Sequence, residues 1–299
     1  MIYIKLFGSM SAEVDGRTIT ASELGGRPRQ VLELLALEAG SPVAKERIAD
    51  LLWEGAPPAS YVGTLESYIS VLRRNMGLGR GRSCVLATLP NAYRLEADAV
   101  TVDLLEFRRL VASMADARAS VAIPAMRHAL DLANGVLLAN EPYAAWACRS
   151  RELFQRELVT ACIHAAQLSN GIGDFRAAEQ FASIATEQDP LSEVAWQHLM
   201  RSFWFSGLRA EALRAYMTLR ERMLDELGDE PGSESQELYF AILRDTPSVR
   251  RDSTGGGGME VRTLLLLLRQ ALDVLPGIQA PARDSALAQV AVSALERTP

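Results

Sequence analysis

Leu65, Ile69, Leu72 and Met76 recur at the spacing of helical turns, and Gly63, Ser67, Ser70 and Arg74 fall on the opposite side. This predicts an amphipathic helix over 60–76, with Tyr68 half-buried at the edge of the apolar stripe. Thr64 and Val71 flank the polar face on one side, Glu66 and Arg73 on the other. Gly77, Gly79 and Gly81 then break the pattern, and extended runs at 83–88 and 92–96 surround Leu89-Pro90-Asn91, a turn signal between alternating apolar residues. A helix followed by a hairpin is the expected result.

Upstream, Ile2, Ile4 and Leu6 alternate with Tyr3, Lys5 and Phe7, and Asp15-Gly16 marks a turn before Thr18–Thr20, so the chain should open with short strands. Apolar clusters predict a first helix over 29–39 and a second over 45–53, with Gly40 and 55–58 as breaks. Strands, three helices and a hairpin form the order in which a third helix is presented outward, as in a helix-turn-helix. From Asp103 onward the strand signal fades, and helices are expected at 104–115, 119–134, 144–169, 174–187, 193–204, 209–226 and 234–244. Gly173 and Gly207 lie 34 apart, as do Ala178 and Ala212, which is the period of tetratricopeptide repeats. A plain helical bundle is the alternative.

Charge changes the picture locally. The chain of 299 residues is acidic overall (net −6), yet 60–95 holds five arginines, Arg73, Arg74, Arg80, Arg82 and Arg94, against Glu66 alone, net +4. Such a focus can attract phosphate over about 10 Å at moderate salt. A small polar face ending in arginines suits a nucleic-acid groove, although an ordinary solvated face would read the same way. Residues 99–249 carry 14 basic and 21 acidic side chains, net −7, which fits a protein-binding helical repeat better than a DNA-lining surface.

Enzymatic chemistry finds no support. His128, His164 and His198 sit in predicted helices 36 and 34 residues apart, a repeat-like spacing that favours packing over metal binding. Cys84, Cys148 and Cys162 form neither a disulfide framework nor a zinc pattern. Gly171-Ile-Gly173 follows a helix rather than a strand, and no Lys-Ser or Lys-Thr follows the four glycines at 255–258. No cofactor or metal is expected. With no apolar, cleavable leader at Met1 and no run near the roughly 20 apolar residues that span a bilayer, a cytoplasmic, nucleoid-associated protein without a membrane partner is expected.

The words IKLFGSM, RPRQVLELLALEAGSPVAKERIADLLWEGAPP, TLESYISVLRRNMG and NAYRLEAD resemble the OmpR-type winged helix of the streptomycete antibiotic regulatory protein (SARP) family of transcription activators. ANEPYAAWA and the stretch from DPLSEVAWQ to YFAILR resemble that family's second part, the bacterial transcriptional activator domain, so the likeness covers roughly 1–245. Val71 stands where the family usually carries Arg or Lys, and Ala92 where it usually has Gly at the wing.

The resemblance implies a mainly α fold with a small β component: an N-terminal winged helix of three helices, short sheets and a wing hairpin, then an all-α tetratricopeptide-like domain. The expected division is 1–98 for DNA binding, 99–249 for the activator domain, 250–258 as a flexible linker and 259–299 as a helical extension. Its partners would be double-stranded promoter DNA, RNA polymerase and a second copy of the chain. The DNA-binding candidates are Thr64, Ser67, Ser70, Arg73, Arg74, Arg82 and Arg94. A helical-repeat adaptor whose winged domain does not bind DNA specifically is the competing reading. In the extension, Leu264, Leu268, Leu272 and Leu275 form one stripe, expected to pack on the helical domain or on its counterpart in a dimer.

Overall fold

The computed structural model describes residues 2–78 and 85–245. Expectations for the 250–258 linker and the 259–299 extension lie outside the described residues, as do Arg80, Arg82 and Cys84. The chain begins with β1 (Ile2–Lys5), β2 (Ser11–Val14) and β3 (Arg17–Thr20), an antiparallel meander. Its second turn is Asp15-Gly16, with φ of 49° and 82°, the pair of positive values that matches the twist of a two-residue hairpin. A four-residue helix α1 (Ala21–Leu24) follows, and the N–H of its capping residue Thr20 donates to Glu23 Oε2 at 2.8 Å.

Helices α2 (Gly26–Leu37), α3 (Lys45–Leu52) and α4 (Tyr61–Asn75) then stack, with the two-residue strand β4 (Val43–Ala44) before α3. The hairpin is β5 (Leu86–Leu89) and β6 (Ala92–Leu95), and β4 pairs with β6 to make a three-stranded sheet. Leu89 therefore belongs to the strand, opposite Ala92, and the turn is only Pro90-Asn91. The turn closes without glycine: Pro90, Asn91 and Ala92 all keep negative φ. A further strand unforeseen from sequence, β7 (Val100–Val102), returns beside β1 in parallel, giving the order β3-β2-β1-β7.

The helical half follows the expected pattern closely: α5 (Asp103–Ser113), α6 (Ala119–Leu132), α7 (Ala145–Gly171), α8 (Phe175–Gln188), α9 (Glu193–Phe205), α10 (Arg209–Leu227) and α11 (Ser233–Arg244). The 34-residue period is visible atom by atom. Gly173 N–H donates to Asn170 O and Asp174 N–H to Ser169 O; one period later Gly207 N–H donates to Trp204 O and Leu208 N–H to Phe203 O. Both glycines sit at φ 79°, and Ala178 and Ala212 are fully buried where the next helix packs. Burial pushes the His198 imidazole down to about 4, so it stays neutral within the packing.

The two halves meet across a polar seam. Asp103, buried at the start of α5, accepts hydrogen bonds from the backbone N–H groups of Leu6, Phe7 and Leu104 at 2.8–3.0 Å. Phe7, just beyond β1, is fully buried and packs on Phe154 of α7 with ring centroids 4.9 Å apart. Phe7 also bridges Leu137, while Leu138 N–H donates to Leu6 O and Gly8 N–H to Val136 O. Arg29 and Gln30 of α2 both donate to Glu141. Arg151 holds the loop behind this seam, its guanidinium donating to the carbonyls of Leu137, Leu138, Glu141 and Pro142.

Candidate nucleic-acid interface

Helix α4 owes its orientation to Leu65, Ile69, Leu72 and Met76, all buried as expected. Each is worth about 1.5–3 kcal/mol on burial, so rotating the helix about its axis would be costly. The C-terminus is closed by Gly77 at φ 64°: its N–H donates to Arg74 O and the Leu78 N–H to Arg73 O, while Leu78 itself is buried. Asn75 adds a side-chain bond of 2.9 Å to Glu23 O. With its buried side so fixed, α4 exposes Gly63, Glu66, Ser67, Ser70 and Arg74, and leaves Thr64, Tyr68, Val71 and Arg73 half-buried.

The hydroxyls on this face are occupied in a particular way. Ser67 donates to Gly63 O at 3.0 Å, Ser70 to Glu66 O at 2.9 Å and Thr64 to Ser60 O at 3.3 Å. With their hydrogens turned into the helix, these groups present acceptor lone pairs outward. Arg74 is exposed, and no other described residue holds its guanidinium through a hydrogen bond or ion pair.

The other arginines are engaged. Arg73 reaches across to the hairpin and donates to Leu86 O at 2.7 Å and Thr88 Oγ1 at 2.8 Å, which ties α4 to β5. Arg94 donates through Nε (3.0 Å) and Nη2 (2.7 Å) to one oxygen of Glu96. Between these two arginines lies an open cleft of about 620 Å³, lined also by Thr88, Pro90 and Glu96. The hairpin is fastened on its far side too: Lys45 N–H donates to Asn91 O at 2.9 Å. The buried Lys45 ammonium lies 5.3 Å from the Tyr93 ring centroid and 3.2 Å from the exposed Glu66 carboxylate. Burial pushes the Tyr93 phenol up from its ordinary value.

Of the candidates, then, Thr64, Ser67, Ser70 and Arg74 share one side of α4, while Arg73 and Arg94 border the cleft and already have partners. The count of net +4 stopped at residue 95 and so left out Glu96, which compensates Arg94. Lys45 and Thr88 were also missed. Their signals were weak: a lysine at a helix start and a threonine in a strand are common, and only the packing of α3, α4 and the hairpin joins them.

Comparison with known proteins bears directly on this architecture. The pattern of the Bacterial transcriptional activator domain family matches residues 102–243. The chain is 31% identical over 261 residues to the regulatory protein DnrI of Streptomyces peucetius, across 83% of this chain and 94% of that protein. The chain belongs to the streptomycete antibiotic regulatory protein family of transcriptional activators. This family member is also 29% identical over 256 residues to the transcriptional regulatory protein EmbR of Mycobacterium tuberculosis, spanning 81% of this chain and 63% of EmbR. A solved structure of M. tuberculosis EmbR in complex with a low-affinity phosphopeptide superposes with a TM-score of 0.69, covering 91% of this chain and 71% of that one at 24% identity. It supports the fold: mainly α, with small N-terminal sheets followed by a helical domain. The family and these relatives are transcriptional regulators, not enzymes. Among the described residues, no helix is long and apolar enough to cross a membrane.

Proposed function

We propose that the chain is a sequence-specific DNA-binding activator that reads double-stranded promoter DNA with α4 and braces the backbone with the hairpin. The observation that carries this reading is the exposed side of α4, where Ser67, Ser70 and Arg74 lie in a row beside a hairpin pinned at both edges. Arg74 supplies a phosphate or guanine contact, and the serine lone pairs accept from exocyclic amines of adenine or cytosine. Thr64, at the N-terminal end of the same helix, contacts the adjoining backbone. Arg94 contacts the backbone from the hairpin side, and Arg82, a candidate from the sequence alone, is proposed as a second backbone contact. The division into a DNA-binding part at 1–98 and an activator part at 99–249 goes with this reading, as does a cytoplasmic, nucleoid-associated location.

One winged helix makes few base contacts, so specificity calls for two copies on repeated half-sites, with the helical domain serving dimerisation and contact with RNA polymerase. Repeat centres about one helical turn apart, roughly 10–10.5 base pairs, would place both copies on one side of the duplex. Selection of bound sequences from random duplexes should return such a repeat. Inserting about five base pairs between its halves should then abolish paired binding. A pool that stays random after selection would instead favour the helical-repeat adaptor, whose winged domain does not bind DNA specifically.

A further inference from the structure

Glu96 stands beside the cleft that borders α4, and the sequence pattern assigned it no role. Glu96 and Arg94 are two apart on an extended segment, so they project to the same side, and they pair through a single carboxylate oxygen. Both side chains are about one-third exposed, 34% for Arg94 and 32% for Glu96. An ion pair this wet is weakly held and opens readily to a competing anion. Thr88 also lines the cleft, its Oγ1 accepting from Arg73. The cleft thus offers the Arg94 guanidinium to a phosphate, beside a carboxylate that both occupies it and repels the newcomer.

We infer that Glu96 is a built-in competitor for the phosphate seat between α4 and the hairpin, holding Arg94 until a nucleic-acid phosphate displaces it. The inference rests on the DNA-binding reading above and deepens it. Arg94 adds no net charge while paired, and becomes a phosphate contact only when the duplex lies in the cleft. Glu96 therefore lowers affinity for arbitrary duplex, where the contact is poorly formed. It costs less where the bases read by α4 press the backbone into place.

The test is Glu96→Gln, which keeps a carbonyl acceptor for Arg94 and removes the charge. Binding to a random-sequence duplex should tighten about threefold to tenfold near 50 mM salt, and the log–log salt dependence should steepen by about one unit. Both changes should vanish when Glu96→Gln is placed on an Arg94→Gln background. Should Glu96→Gln fail to give the parent's circular dichroism, Glu96→Ser is read in the same assay. A gain that persists without Arg94 would show only a general charge effect and overturn the inference. So would unchanged affinity and slope. The underlying reading fails separately: if the parent itself binds no duplex, α4 is not a reader. If the parent binds through Arg74 and Glu96→Gln changes nothing, the role of Glu96 alone falls.

Discussion

The seam between the two halves and the outward side of α4 use similar charged groups to opposite ends. At the seam, Asp103, Glu141 and Arg29 lie buried or nearly so, and the Asp103 carboxylate is saturated by backbone donors. On α4 and the hairpin, Arg74 is open to solvent, and Arg94 is paired with a glutamate that is about one-third exposed. The difference is one of desolvation. A charge removed from water must be matched by fixed partners, and its loss leaves them stranded; a charge in water is exchangeable and can be lent to a ligand. The seam ties the N-terminal part to the helical domain, and the outer side keeps its charges exchangeable with water.

The largest effect should come from the seam. Asp103→Ala strands the N–H groups of Leu6, Phe7 and Leu104 and should cost about 3–5 kcal/mol of unfolding free energy, measured by urea denaturation. A loss below about 1 kcal/mol would mean that water replaces the carboxylate easily and that the seam is looser than its hydrogen bonds imply.

Acidity sharpens the same comparison. Burial pushes Glu33 up to about 8, against the partial help of Arg29 and with the added repulsion of Glu141. Its folded value lies above its unfolded one, near 4.3, so between those limits the folded state holds a proton that the unfolded state has lost. Stability should therefore fall as pH rises from about 5 to about 8, by up to about 1.4 kcal/mol per unit from this group, and level off beyond. Glu33→Gln should flatten that slope in denaturation measured across the range. A parent whose stability rises steadily from pH 5 to 8 would contradict the assignment.

The outer side should respond in binding rather than in folding. Arg74→Ala should leave the melting temperature unchanged and weaken DNA binding, by about 1–3 kcal/mol at one base pair if a guanine contact is lost, or by about one unit of salt slope if a phosphate contact is lost. Arg73→Ala should weaken binding too, but through the fold: two bonds to the hairpin disappear, at a stability cost of about 1–2 kcal/mol. If Arg73→Ala binds less well with unchanged melting, Arg73 is a direct contact and its ties to the hairpin are exchangeable.

Much of this molecule was legible before its structure. Helix positions in the second half were readable because alanine- and leucine-rich segments with a 34-residue period carry local, strongly periodic information. The buried stripe of α4 was readable for the same reason, and so was its polar side. Strand β7 was not, because three residues of Val-Thr-Val give no period, and their partner lies almost a hundred residues upstream. The burial of Phe7 was not legible either, because the ring that covers it, Phe154, lies far along the chain on α7.

The sequence by itself determined where the longer helices lie, which side of α4 faces the core and which family the chain resembles, since each depends on neighbours within a few turns. The four-residue α1, where short strands were expected, escaped it. Only the tertiary structure decided which arginines are free. Arg73, Arg74 and Arg94 are indistinguishable as letters in a basic stretch, yet one braces the hairpin, one is open and one is paired with Glu96. The physical reason is that a guanidinium's availability depends on acceptors brought to it by folding. For Arg73 those acceptors lie 13 and 15 residues away on another element.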